Sequence, residues 1–278
     1  MRETSPAHTV PGLAGHWHRS LTLPCGYQHF NWYDLGATNS NGVTLCNPTT
    51  RGQINDLRET LEGTADDVYL YTHHEVFLDE GVIKHTRSSP NWDGGLVTYA
   101  TCKHYMRSAG RSWVGCWLAG LAPKGCAGNT LMFIGRVQQE FNTNYELSRH
   151  VRQTSPQAYR AKLACGNPRG DLYTPRRTLR PEERLDHLNY VAPQNHTRST
   201  EFYKASPGSV SDRPDGKVPK WWRDVEYVAG SLRRPRCFTL GPVWLFCRPT
   251  LWTSYAPGRA VLRLHPGAFA ASLGVRAA

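Results

Sequence analysis

Residues whose types could do chemistry lie in three short stretches of this 278-residue chain. In the first, Cys102 is followed by Lys103 and a histidine, and neighbouring positive charge favours the nucleophilic thiolate. In the second, Asp171 and Tyr173 follow a glycine in a turn, where the carboxylate could act as a general base and the phenol ring could stack on a nucleobase. In the third, His196 lies in a polar loop, where a neutral imidazole could move protons near pH 7. We therefore predict Asp171, Tyr173, His196 and Cys102 as catalytic residues.

Each of these residues also has a structural interpretation. Adjacent strand residues point to opposite faces, so Cys102 and Lys103 can enter one pocket only if the strand ends or bulges there. The alternative for Cys102 is a buried structural thiol. An aspartate in a glycine turn, such as Asp171, often caps its own backbone, and a histidine in a polar loop is often a solvated surface residue.

The strongest compositional feature is the excess of arginine. The chain has a net charge of +11, and 26 of its 33 basic residues are arginines. The planar guanidinium suits bidentate contact with phosphates and with guanine edges. The alternative is that the excess reflects only the codon usage of a GC-rich genome. On the first interpretation, the predicted nucleic-acid-binding residues are Lys103, Arg107, Arg176, Arg177, Arg198, Trp221 and Trp222.

The segment 155–235 combines this basic character with aromatic residues. Prolines interrupt every periodic run in it, so the pattern indicates mostly loops. Its tyrosines and tryptophans alternate with arginine and lysine, a mixture that can stack exposed bases while holding phosphates. The alternative is that the rings only anchor long loops onto the sheet.

Hydrophobic patterning predicts an α+β fold with a curved, barrel-like and partly closed antiparallel sheet, a few peripheral helices and long loops. The predicted strands lie at 68–77, 96–102, 113–121, 131–137 and 237–247. The predicted helices lie near 54–61, at 145–151 and at 266–273. The predicted organisation is a poorly structured extension over 1–63, one α+β domain over 64–250, and a tail with a short helix over 251–278.

The stretch 94–141 and its downstream partners resemble the nucleotide-modification-associated domain family. The matching residues are Leu96, Thr98, Ala100, Thr101, Cys102, Lys103, Arg107, Gly110, Trp113, Val114, Gly115, Gly128, Leu131, Met132, Phe133 and Val137. The segment 170–173 looks like the family's Gly-Asp segment ending in tyrosine, and 238–246 looks like its closing strand. The resemblance covers about 67–250, and Arg111 stands where the family pattern has aspartate.

That resemblance implies a function. Members of the family are bacterial and phage proteins proposed to take part in hypermodification of DNA bases, and the strand core is similar to the PUA, EVE and YTH readers of modified bases. We therefore expect a protein that acts on, or recognises, a modified nucleobase in DNA. Two alternatives are a non-catalytic modified-base reader and a thiol-dependent nucleotide transferase, and a third is an accessory protein without nucleic-acid function. The implied partners are DNA or a nucleotide, and other base-modification enzymes.

Several classes of protein are disfavoured by what the sequence lacks. No apolar run has the length of a membrane span, and the first residues have no apolar signal-peptide core, so a cytoplasmic location is expected. The eight cysteines show no zinc-binding spacing, which predicts free thiols and no metal site. No Walker or dinucleotide-binding motif is present, so the sequence identifies no cofactor.

Overall fold

The computed structural model describes the chain in segments, and all structural statements concern these segments. They are residues 38–46, 49–73, 76–79, 81–85, 89–101, 103–123, 128–163, 170–193, 200–205, 209–226 and 234–275.

Thirteen strands lie in this part of the chain. They are β1 Val43–Cys46, β2 Val68–Thr72, β3 Val76–Asp79, β4 Val82–His85, β5 Val97–Tyr99, β6 Trp117–Leu121, β7 Leu131–Phe141, β8 Phe202–Lys204, β9 Lys217–Pro219, β10 Cys237–Phe246, β11 Leu251–Thr253, β12 Val261–Leu264 and β13 Leu273–Val275. Three two-stranded sheets pair β3 with β4, β8 with β9 and β11 with β13. The other seven strands form the main sheet.

The helices of the same segments are short. They are α1 Arg51–Glu62, α2 His104–Arg107, α3 Asn144–Thr154, α4 Pro156–Leu163, α5 Lys220–Glu226 and α6 Pro266–Ser272, with 3₁₀ turns at Asp93–Gly95, Pro181–Glu183 and His187–Asn189. None of them is long and apolar enough to cross a membrane.

The main sheet has the strand order β1-β10-β7-β6-β2-β12. The long strand β10, second in this order, pairs with β7 along one side, while its other side pairs with antiparallel β5 in its first half and parallel β1 in its second half. The β2–β6 pair is also parallel, and the remaining pairs are antiparallel. Among the described residues β1 and β12 are open edges, so the sheet is not closed into a barrel.

Both faces of the main sheet are covered. One face packs against α1 and α6, where Ile54, Leu57 and Phe269 are buried with Trp117. The other face buries a cluster of aliphatic and aromatic side chains that includes Tyr71, Trp113 and Phe133. Because apolar residues are buried on both faces, the strands at the centre of the sheet have nearly continuous apolar sequences.

The structure confirms the α+β class. It also confirms the predicted helix at 145–151 as α3, the predicted strand at 237–247 as β10 and the predicted helix at 266–273 as α6. The expected poor packing of 1–63 does not hold for 43–46 and 51–62, because β1 pairs with β10 and α1 is buried against the sheet. The helix α1 begins after Thr50, whose hydroxyl and the side chain of Gln53 form a capping box. The strand predicted at 68–77 is interrupted after Thr72, and the described part of the strand predicted at 96–102 is only Val97–Tyr99.

Candidate functional site

The one-turn helix α2 carries the chain from the main sheet to a polar cluster. Lys103 precedes it with a φ of 46°, a left-handed backbone conformation that residues other than glycine rarely adopt. At the other end, Arg107 is only 1% exposed, lies over the ring of Tyr99 and donates to the carbonyl oxygen of Arg236. The N–H of Arg236 donates back to the carbonyl oxygen of Arg107 at 3.1 Å. Arg107 therefore holds the start of β10 against α2.

His104 belongs to a group of three polar side chains from three separate segments. The buried carboxylate of Asp224, on α5, accepts a hydrogen bond from the Tyr173 hydroxyl at 2.8 Å. Its other oxygen lies 3.5 Å from Nε2 of His104, whose side chain is 19% exposed. A carboxylate facing Nε2 favours the tautomer that carries its proton on that nitrogen. A carboxylate in this position also orients the imidazole for acid–base chemistry.

Aromatic rings pack behind this group. The ring of Tyr173 contacts that of Trp221 at 5.8 Å between centroids, and Trp221 is buried. Trp222 is partly buried, and His187 stacks on it at 3.6 Å. Both tryptophans, which were predicted to stack nucleobases, thus make the contacts of rings that anchor loops onto the fold.

Asp171 lies two residues before Tyr173 and is fully buried. Its carboxylate accepts hydrogen bonds from the hydroxyl of Thr98 at 2.8 Å, the N–H of Ala100 at 3.2 Å and the hydroxyl of Ser89 at 3.3 Å. The side chain of Asn144 bonds to the backbone of both Asp171 and Tyr173. Asp171 therefore connects β5 with the segment before it and with the start of α3. Its catalytic role stays a prediction.

Lys162 of α4 completes this buried network. Its Nζ donates to the carbonyl oxygen and to the side-chain Oδ1 of Asn91, at 3.0 and 2.6 Å. Burial lowers the pKa of Lys162 to about 8, although Asp171 and Asp93 oppose this change. Burial likewise raises the pKa of Asp171 to about 6, against the opposing effects of Lys162 and Thr98. For both groups, the cost of burying a charge exceeds the attraction between them.

We expect the network to give an unusual dependence of stability on pH. A raised pKa means that the folded protein binds the Asp171 proton more tightly than the unfolded chain. The resulting stability is complete below pH 3.8, the ordinary pKa, and is lost as the pH rises through about 6. The free energy of unfolding of the wild type, relative to that of Asp171→Asn, should therefore fall from pH 4 to pH 7 by up to roughly 1.4 kcal/mol per pH unit. Denaturant titrations across this range test it, and a constant difference contradicts it.

An open cleft lies directly after α2. Its volume is about 420 Å³, within the range of pockets that hold small molecules. Arg234 and Arg236 are part of its lining, and so are Asn142 and Thr143, the two residues before α3, of which Thr143 caps the helix N-terminus. The lining residues are Ser108, Ala109, Gly110, Asn142, Thr143, Arg234 and Arg236. Two guanidinium groups beside a helix N-terminus favour an anionic ligand such as phosphate.

An exposed aromatic ring and a neutralised carboxylate complete the surroundings of the cleft. Tyr105 lies three residues before Ser108, and 81% of it is exposed. Glu146 accepts a hydrogen bond from the backbone of Asn142 in the cleft, but its other oxygen is paired with Arg184 at 2.8 Å. This pairing reduces the repulsion that the Glu146 carboxylate would exert on an anion.

Comparisons with protein-family models, curated proteins and solved structures gave no match to this chain. The resemblance to the nucleotide-modification-associated domain family therefore stays a prediction.

The predicted binding residues are not gathered around the cleft. The amino group of Lys103 lies 4.9 Å from the centre of the Tyr71 ring. Arg176 is exposed and bonds to the carbonyl oxygen of Leu188, and Arg177 makes a forked ion pair with Glu183. The other predicted site residues, Cys102, His196 and Arg198, lie outside the described residues.

The prediction of free thiols is confirmed for the four cysteines that the structure describes. They are Cys46, Cys116, Cys237 and Cys247. Burial raises the pKa of Cys46 and of Cys237 to about 12, so both are protonated at neutral pH and poor nucleophiles.

Sequence reasoning missed Asp224, Arg234 and Arg236 as site residues. Asp224 lies between a tryptophan pair and a short apolar stretch, where a carboxylate resembles a solvated helix residue. The two arginines come just before the strand predicted at 237–247. This position is the feature of the sequence that could have identified them as site residues. Two basic residues directly before a strand place their positive charge at the end of that strand.

Proposed function

We propose that this protein binds DNA and recognises or acts on one nucleobase, with the cleft beside Gly110 holding a phosphate group. The observation that carries the proposal is the convergence of Arg234 and Arg236 on a cleft of about 420 Å³ at the N-terminus of α3. Backbone N–H groups and guanidinium groups are the usual protein contacts to nucleic-acid phosphates. The cleft volume also suits a single nucleotide unit.

Tyr105 supports a base contact next to that phosphate. It is on α2, three residues before the cleft begins, and its ring is the most exposed aromatic ring among the described residues. Stacking of a base on an exposed ring contributes on the order of 1–3 kcal/mol and does not require a particular sequence. A base that is turned out of a duplex or lies in a single strand could reach this ring.

His104 supports acid–base chemistry on the bound base. Its imidazole is partly exposed, and the buried Asp224 carboxylate holds its Nε2 edge. The hydroxyl of Ser108, which lines the cleft, donates to the backbone oxygen of His104 at 2.7 Å, so the imidazole and the cleft belong to the same turn. Tyr173 then has the role of orienting Asp224, because its hydroxyl is used in the bond to that carboxylate.

Salt-dependent DNA binding tests the proposal. Titrations of labelled single-stranded and duplex DNA, followed by fluorescence anisotropy between about 50 and 200 mM salt, give the slope of log K against log salt concentration. Replacing Arg234 and Arg236 together by glutamine should reduce the magnitude of this slope by roughly 1 to 2, since each phosphate contact accounts for about 0.7 to 0.9.

The matched control removes the same charge elsewhere. Arg51 and Arg259 are exposed, on α1 and on the turn before β12, and Arg51→Gln with Arg259→Gln should leave the slope unchanged. Equal slopes for the two double variants, or wild-type binding that is insensitive to salt, would remove the cleft from the proposal.

A non-catalytic reader of the PUA type is the second candidate, and the same cleft and exposed Tyr105 favour it. Mass spectrometry of nucleosides from cells expressing the wild type or His104→Gln separates the two. A modified nucleoside that depends on His104 supports an enzyme, whereas unchanged nucleosides with retained DNA binding support a reader. The thiol-dependent transferase would lose the modified nucleoside in Cys102→Ser while His104→Gln kept it.

A further inference from the structure

A second polar cluster lies on the far side of α5 and takes no part in the proposed DNA contact. It consists of Asp186, His187 and Glu226, whose potential ligand atoms all lie within 4.8 Å of one another. Nδ1 of His187 is hydrogen-bonded to Glu226 and lies 3.9 Å from an oxygen of Asp186. Asp186 and His187 adjoin in the 3₁₀ turn, and Glu226 ends α5.

The charges in this cluster favour a cation. Two carboxylates converge within 4.8 Å, and the third member is an imidazole that offers either a proton or a lone pair. About half of the Asp186 side chain is exposed, which leaves one side of the cluster open to water.

The three donors are also held in place. His187 is fixed in its plane by stacking on Trp222, and the Ser209 hydroxyl donates to the second oxygen of Glu226. The side chain of Asp186 accepts from the N–H of Leu188 at the start of the 3₁₀ turn. Outer contacts of this kind orient metal ligands and affect metal affinity by about 10- to 100-fold.

We propose that Asp186, His187 and Glu226 bind one divalent transition-metal ion, with Zn²⁺ as the best-fitting ion. One imidazole nitrogen and two carboxylate oxygens with an open position match a zinc site that keeps a water ligand. Ligand atoms about 2.1 Å from one ion lie on the order of 3–4 Å apart, close to the present spacing. The ion would lie between the imidazole nitrogen of His187 and the carboxylate of Glu226, in place of the hydrogen bond that now joins them.

Zinc stoichiometry and affinity, measured by isothermal titration calorimetry with ZnCl₂ on the full chain, test the site. Because the chain has 12 histidines, the informative quantity is the difference between variants. His187→Phe keeps a ring to stack on Trp222 but removes the nitrogen, and it should bind one zinc ion fewer than the wild type. Asp186→Asn keeps the hydrogen bond to Leu188 and should weaken this site by at least about tenfold.

His150→Phe is the matched control. His150 also contacts an aromatic ring, that of Phe141, but lies in α3 away from the cluster, so this variant should bind zinc as the wild type does. Identical stoichiometry and affinity in wild type, His187→Phe and Asp186→Asn would overturn the proposal. Should His187→Phe fail to fold, Asp186→Asn decides alone, and neither result depends on DNA binding.

Discussion

Gly94→Ala is expected to lower the free energy of unfolding by at least about 3 kcal/mol. Gly94 has a φ of +71°, which alone costs an alanine on the order of 1 kcal/mol. In addition, a Cβ at this position would lie 2.4 Å from the Cα of Ala158 and 2.9 Å from the Cβ of Ala161. The first of these atoms is backbone, so α4 as a whole must move to relieve the overlap. Denaturation followed by circular dichroism measures the loss.

Gly216→Ala separates the clash from the backbone strain. Gly216 has a similar φ of +65°, but no atom lies within 4 Å of the added Cβ. This variant should lose only about 1 kcal/mol. If both variants lose the same amount, the close packing of α4 on Gly94 does not limit stability. The comparison matters for the buried network, because α4 also carries Lys162, and a displaced α4 would separate its amino group from Asn91.

Asp171→Ala should cost about 3 kcal/mol at pH 5, where Asp171 is largely protonated in the folded protein. The change removes the acceptor shared by the Thr98 hydroxyl, the Ala100 N–H and the Ser89 hydroxyl. Buried donors without an acceptor cost about 1–3 kcal/mol each, although the two hydroxyls can turn toward other partners. Urea titration at pH 5 and at pH 7 measures the effect, which should be smaller at pH 7.

Two further variants show whether the network causes that loss. Asp212→Ala removes an exposed carboxylate and should change stability by no more than about 0.5 kcal/mol. The double variant Asp171→Ala with Lys162→Met removes both buried ionisable groups, and at pH 7 its loss should be smaller than the sum of the two single losses. Simple additivity would mean that Lys162 and Asp171 stabilise the fold independently.

Local sequence patterns predicted those secondary-structure elements whose signals lie within one short stretch of the chain. Tyr145, Leu147 and Val151 mark the buried side of α3, and Pro266 marks the first turn of α6, because both patterns arise within a few residues. The pairing of Val43–Cys46 with β10 could not be predicted in this way. Its partners are about 200 residues apart in sequence, and nothing local to a four-residue strand specifies a distant parallel partner.

The candidate site was predicted only in part, for a related reason. Residue type indicated that Tyr173 and Trp221 matter, and they lie side by side. Residue type could not show that Arg107 is buried or that Arg177 is neutralised by Glu183. Tertiary contacts decide which positive charges remain available to bind a ligand. The proposed phosphate contacts are therefore two arginines, Arg234 and Arg236, that composition alone does not distinguish from the other 24.

The position of β10 determines when this sheet can form during synthesis. The strand pairs with β7 on one side and with β1 and β5 on the other, yet it comprises Cys237–Phe246 and follows all three of them in sequence. Until the ribosome has released it, three earlier strands have unpaired edges, which are the surfaces most prone to aggregation. A nascent chain of this protein therefore needs protection of these edges, for example by a chaperone, until β10 has been synthesised.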